Sequence, residues 1–273
     1  MSLIPTAPSP IGGVLDTAIR LYRRSLLSCF GIILLSVAVM TAFSVLLVGA
    51  LPVTAATASS PLAAFAVLRH LWLGYLVMLL VMTGFYGALF AQIDAIARGT
   101  RVGLGAALGI GLRRAPVMIG VAILFALMVG LGCVLLIVPG IYLWGVYQFA
   151  VIPPIVERAG VFESLSTSAR LVKGNWWRSS TIMFVAFAIL MVLELVIAMI
   201  AGITTAVSAG GAGAGAAAAL TGARLVEQVA SSILGLFTTS FFPCVLLAIY
   251  YDLKVRSEGT DLAARLGGLN PVA

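Results

Sequence analysis

The chain has 273 residues, 62% hydrophobic and 9% charged, where an ordinary soluble domain carries roughly a quarter charged residues. A soluble fold of this size cannot cover that much apolar surface, so the composition predicts an all-α integral membrane bundle. The net charge of +7 excludes nucleic acid as the natural partner, because the basic residues flank apolar runs instead of gathering on one aromatic-studded face.

In chain order, residues 1–25 read as an N-terminal tail and an interfacial helix. Ser9 stands as N-cap and Pro10 at the first helical position. Asp16 and Arg20 lie one turn apart, with Val14, Leu15, Ala18 and Tyr22 on the opposite face. Six apolar runs follow, at residues 26–50, 71–93, 115–138, 141–156, 179–203 and 229–251; a span needs about 20 apolar residues. The first run is too long for a signal-peptide core and reads as an uncleaved anchor.

Fourteen of the sixteen basic residues fall in alternate connections and the two ends, with Arg69 and Arg224 as the exceptions. Basic residues next to a span resist translocation, so both termini and the basic loops are expected in the cytoplasm. Residues 101–114 are a weaker amphipathic stretch, since Gly103, Gly105, Gly109 and Gly111 each cost a helix about 1 kcal/mol relative to Ala.

Pro139-Gly140 predicts a tight outer turn, and Pro153-Pro154 predicts that the fourth span is short or kinked. Residues 161–177 are the clearest amphipathic segment: Val161, Phe162, Leu165, Ala169, Val172 and Trp176 share one helical face and Glu163, Ser166, Arg170 and Lys173 the other. The run from Ser164 to Ser168 is expected on the solvated side. Arg170, Lys173, Trp176, Trp177 and Arg178 are candidate contacts to lipid headgroups, the indoles sitting at headgroup depth. Residues 204–228, nearly all Ala, Gly, Ser and Thr in their first half, read as a flexible outer loop, and residues 252–273 as a cytoplasmic tail. The plan of one interfacial helix and two spans occurs three times within a single domain of residues 1–273.

Glu194 is the one acid deep inside a predicted span, where it must face protein or water. It is a candidate for a polar cavity with Gln148, Tyr142 and Tyr147, or for an ion pair with Arg69 or Arg224. The pairs Gly84 with Ala88, Ser231 with Gly235 and Ser240 with Cys244 let helices approach closely. Cys29, Cys133 and Cys244 lie in apolar runs and, with His70, have no ligand spacing, so neither metal nor cofactor is expected. No nucleophile with a partnered base, P-loop or dinucleotide fingerprint is present, and the chain reads as non-catalytic.

The run from Val138 to Leu143, Pro153 to Glu157 and Ser168-Ala169-Arg170-Leu171-Val172-Lys173-Gly174-Asn175-Trp176-Trp177, with the opening Gly13 to Arg24 and the closing Tyr250 to Gly259, resembles the bacterial membrane domain found ahead of the catalytic domain in some glycerophosphodiester phosphodiesterases. The catalytic barrel of about 250 residues is not expected in this sequence. The resemblance implies a multi-pass module of the bacterial inner membrane with lipid or envelope associations. Two functions are carried forward: a non-catalytic module that organises anionic envelope lipids, a membrane partner or its own oligomer, and a transporter or channel for a lipid or small solute that uses Glu194.

Overall fold

A computed structural model describes residues 4, 8–49, 61–209, 235, 238–257 and 259. Among these, all regular structure is helical: α1 (Ile11–Gly49), α2 (Pro61–Ala97), α3 (Leu104–Leu135), α4 (Ile137–Tyr147), α5 (Pro153–Val156), α6 (Val161–Val172), α7 (Trp176–Ala209), and α8 at residues 238–257. Four stretches are long and apolar enough to cross a membrane: Ile11–Phe43, Leu71–Ala97, Leu104–Leu135 and Trp176–Val196. The result is a helical membrane bundle.

Several expectations change. The interfacial helix of residues 1–25 is not separate: α1 runs unbroken from Ile11, with the Asp16–Arg20 ion pair at 2.5 Å on its exposed face. The glycine-rich stretch of residues 101–114 is likewise the first part of α3. Of the three expected interfacial segments only α6 is a helix of its own. The predicted outer loop begins later than residue 204, because α7 continues to Ala209; residues 210–228 lie outside the described residues, as do most of 229–237 in the sixth span and both Ser231 and Arg224.

The fourth span is broken. Its chain turn is at Leu136, which is extended (φ −163°, ψ 141°), and Pro139-Gly140 lie inside the first turns of α4 instead of forming the turn. After eleven residues α4 stops, since Pro153 and Pro154 have no N–H to offer the carbonyls one turn back. Tight bonds carry the chain on, from Ala150 N to Tyr147 O (3.0 Å) and from Ile152 N to Phe149 O (3.1 Å). The stretch still travels the length of α3: Gly140 lies against Cys133 and Val161 against Gly120, while Arg114 donates to the Arg158 carbonyl. The return from 137 to 157 replaces one helix by two pieces and a turn.

Burial is concentrated at one end, called here the basic end. The buried stripe of α1 is Val14, Ala18, Leu21, Ser25, Cys29 and Ile32, and it ends at Ile33. It meets Ala88, Phe90 and Ile93 of α2 and Cys244, Leu247 and Tyr250 of α8 in one cluster. Beyond it, α1, α2, α3 and α7 carry exposed large apolar side chains such as Leu46, Leu73, Leu131 and Val192. Helices apolar all round and exposed at one end suit hydrocarbon.

The α2–α3 contact depends on small residues. A Cβ on Gly111 would overlap the Gly84 carbonyl oxygen and the Ala88 amide nitrogen, whereas one on Gly109 meets nothing within 4 Å. Gly111→Ala is therefore expected to lower the unfolding temperature in detergent by several degrees, and Gly109→Ala to leave it unchanged or raise it, since Ala is the better helix former by about 1 kcal/mol. Equal effects of the two would show that the close approach is not stabilising.

Candidate functional site

Three carboxylates gather around the last two turns of α8 at the basic end, Asp252 on the helix itself and Asp94 and Glu157 beside it. Asp252, 1% exposed, accepts from Arg256 Nε at 2.9 Å and Arg178 Nη2 at 3.2 Å, and from the Ser9 backbone N–H at 2.9 Å. Both arginines also donate to the Ser9 carbonyl. Ser9 thus works through its backbone, and the start of α1, the start of α7 and the end of α8 are held by one buried acid.

The other two acids sit on either side. Tyr251 donates its hydroxyl to Asp94 at the end of α2, which also pairs with Arg98 at 2.9 Å. Tyr250 Oη donates to Glu157 Oε1 at 2.7 Å and Lys254 Nζ to the same oxygen at 2.6 Å. Adjacent tyrosines on a helix point about 100° apart, so Tyr250 reaches the α5 end while Tyr251 reaches α2. Burial by itself raises the Glu157 carboxyl; hydrogen bonds from Lys254 and Tyr250, with the charges of Lys254 and Arg170, outweigh it and hold the group below the ordinary carboxylate range.

Next to this polar layer the broken return is repaired from α6 and α7. The Val146 carbonyl, left without its helical partner, accepts from Ser168 Oγ at 2.7 Å. Trp176 Nε1 donates to the Tyr142 carbonyl at 3.1 Å and its ring stacks on Tyr142 at 5.7 Å. A type II turn, Lys173 (φ −55°, ψ 122°) then Gly174 (φ 82°), closed by Asn175 N to Val172 O at 2.9 Å, joins α6 to α7; the positive φ requires the glycine.

The expected polar face of residues 161–177 is exposed at Glu163, Ser166, Arg170 and Lys173; the apolar face is broader than expected and leaves out Phe162. Ser164, Leu165, Thr167, Ser168, Leu171 and Val172 are buried against protein, and Phe162 points away at 79% exposure. The run from Ser164 to Ser168 is divided: Ser166 is exposed as expected, while Ser164 and Ser168 are fully buried. Of the headgroup candidates, Arg178 is tied to Asp252 and Trp176 to Tyr142. Arg170 and Lys173 are exposed, as is Trp177 at 78%.

A cavity of about 230 Å³ opens where α4 breaks, lined by Tyr86, Met118, Val121, Ala122, Phe125 and Trp144 on one part of its wall and by Tyr147, Gln148, Val151, Met183, Phe242 and Leu246 on the other. Tyr147 and Gln148 are in it, as the sequence placed them together; Glu194 and Tyr142 are not. Glu194 and Arg69 are both exposed, and neither takes part in the ion pairs found among the described residues. Sequence reading missed Asp94, Glu157 and Asp252 because it weighed only acids deep in a span, yet their signal was present: each has a basic residue four positions away in sequence or beside it in a loop.

No family model, curated protein or solved structure matches this chain.

Asp252→Ala leaves two arginines facing the Ser9 carbonyl with no anion, and is expected to cost on the order of 3 kcal/mol, read as a drop in the denaturant midpoint in micelles. A drop no larger than that of an exposed-site control such as Asp16→Ala would remove Asp252 from its central role. The Glu157 pair gives a pH signature. Its folded value lies below the unfolded one, so its contribution is complete above roughly pH 4.3 and is lost as pH falls through the lowered folded value. Unfolding temperatures scanned from pH 6 to pH 3 are expected to fall more steeply for the parent than for Glu157→Gln; parallel curves would contradict the pairing.

Proposed function

We propose that this chain is a six-pass protein of the bacterial inner membrane, with both termini cytoplasmic, that acts without catalysis to organise anionic envelope lipids or to hold a membrane partner. Four unbroken spans, the broken return of residues 137–157 and a last span ending in α8 make up the six. The single observation that carries the reading is the fate of the carboxylates at the basic end: Asp94, Glu157 and Asp252 are engaged in ties between helices, and the cavity lining contains no charged side chain. A transport route needs polar groups left open along a path. Arg170, Lys173 and Trp177, exposed together around the α6–α7 turn, supply a cationic and aromatic collar at headgroup level, each cation worth about 1 kcal/mol near an anionic leaflet.

Membership of the glycerophosphodiester phosphodiesterase membrane-domain family is part of the proposal. What supports it is that the residues carrying the resemblance are those with structural tasks: Tyr250, Tyr251, Asp252 and Lys254 form the polar ties, and Ser168 and Trp176 complete α4.

Reporter fusions at residues 60, 140 and 215 are expected outside and at 105, 167 and 265 inside; a fusion at 167 reading outside overturns the six-pass arrangement. Anionic lipid is expected to co-purify with the parent and to be reduced severalfold in Arg170→Ala/Lys173→Ala. Vesicles of phosphatidylethanolamine and phosphatidylglycerol containing the protein are expected to show no proton or solute flux above empty vesicles. Flux that Glu194→Gln abolishes at equal protein level would replace this reading with transport.

A further inference from the structure

Glu194 is the acid on the apolar length of α7, it is exposed, and nothing in the bundle answers it. Among the described residues no ion pair or side-chain hydrogen bond engages it. Arg178 lies about 24 Å back along the helix, and the residues from Leu195 to Ile203 carry no polar side chain for about 14 Å beyond it. The carboxyl group therefore faces outward from within a hydrocarbon core of about 30 Å, where an ionisable group is costly unless it is paired.

The surface around it is ordered. Phe184, Phe187, Met191, Glu194 and Ala198 alternate steps of three and four residues, which places them within about 80° of one another around the helix. Phe184 is 70%, Phe187 49% and Met191 52% exposed, and Glu194 and Ala198 are exposed with them. Ile182 and Ala186, on the other side of α7, are buried against the bundle. Three-four spacing is the seam by which one helix packs along another, and a single polar residue in such a seam fixes its register and its partner.

The partner has to bring both a donor and an acceptor to the depth of Glu194. A second copy of the chain does so. Copies inserted in the same orientation and related by a two-fold axis along the membrane normal bring equal depths together, so Glu194 meets Glu194, and a carboxyl group that carries its proton donates its O–H to the oxygen of the other. Arg69 does not fit that place. Asp94 and Arg178 are level, because they bind the adjacent residues Tyr251 and Asp252 of α8; Arg69 stands about 38 Å along α2 from Asp94, and so about 14 Å farther from the basic end than Glu194.

We propose that two copies of this chain pair along the α7 seam of Phe184, Phe187, Met191 and Ala198, with their Glu194 carboxyl groups hydrogen-bonded to each other across the two-fold axis. This pairing rests on the membrane reading above and names its partner. The full-length protein, in a Cys133→Ala background that leaves only the buried Cys29 and Cys244, is reconstituted in vesicles of phosphatidylethanolamine and phosphatidylglycerol and cross-linked by oxidation. Met191 and Ile189 are equally exposed in a single copy, at 52% and 51%, but point about 160° apart. Met191→Cys is expected to give a disulfide-linked dimer and Ile189→Cys to stay monomeric.

Energy transfer between copies carrying a donor or an acceptor at the C terminus, followed as lipid is added, measures the strength of the pair. Glu194→Leu is expected to dissociate at about one tenth the dilution that the parent needs, which corresponds to about 1.4 kcal/mol and lies within the range of hydrogen bonds between membrane helices. Glu194→Gln, whose amide still donates and accepts, is expected to stay close to the parent. No dimer of the parent, equal cross-linking from both cysteines, or a Glu194→Leu dimer as strong as the parent overturns the pairing and leaves the membrane reading intact, provided that both cysteines are protected from a membrane-impermeant maleimide. Ready modification of both in intact vesicles places α7 outside the bilayer, and the pairing then falls together with the membrane reading.

Discussion

The buried Asp252 carboxylate, with an arginine from α7, an arginine from its own helix and the backbone of Ser9, is the contact on which the arrangement of the helices depends. In a bilayer the hydrophobic effect does not bring helices together, because lipid tails are as apolar as leucine; close packing and hydrogen bonds must do so. The protein follows that logic unevenly. Its polar ties lie within about two turns of α8, and the apolar lengths of α1, α2, α3 and α7 beyond them are exposed. Position is set at one end and carried along rigid helices to the other.

Breaking the return between α3 and α6 would be ruinous in hydrocarbon if its carbonyls were left open, since irregular backbone is tolerated there only when protein covers it. Here α6 is folded in as that cover. Its Ser168 hydroxyl reaches the Val146 carbonyl, and the turn at Gly174 brings Trp176 onto Tyr142. The break, the serine-rich helix and the tryptophan are one structural solution, and the cavity is the space the break leaves.

The long apolar runs and the two adjacent prolines were legible in the sequence because length and missing donors act locally. The merging of residues 11–25 with the first span was not, since an amphipathic pattern reports which face is polar and says nothing about where a helix bends. The apolar face of α6 was read too narrowly for a related reason. Phe162 is more apolar than Ser168, yet a serine that donates to the open Val146 carbonyl gains more from burial than a phenylalanine that lies at the surface. Glu194 drew notice by its depth and lies exposed, whereas Asp94, Glu157 and Asp252, sitting at span ends where charges are ordinary, proved to organise the bundle.

A count of basic residues also merges two populations that the structure separates. Arg98, Arg178, Lys254 and Arg256 face carboxylates, so their charge is largely balanced within the protein and acts to hold helices in place. Arg23, Arg24, Arg113, Arg170 and Lys173 are exposed and present a field outward, screened by salt within about 8–10 Å. Only the second group presents an unbalanced charge outward once the bundle is formed. That division leaves fewer outward charges than the sequence count implies, and two of them, Arg170 and Lys173, lie at the end of α6.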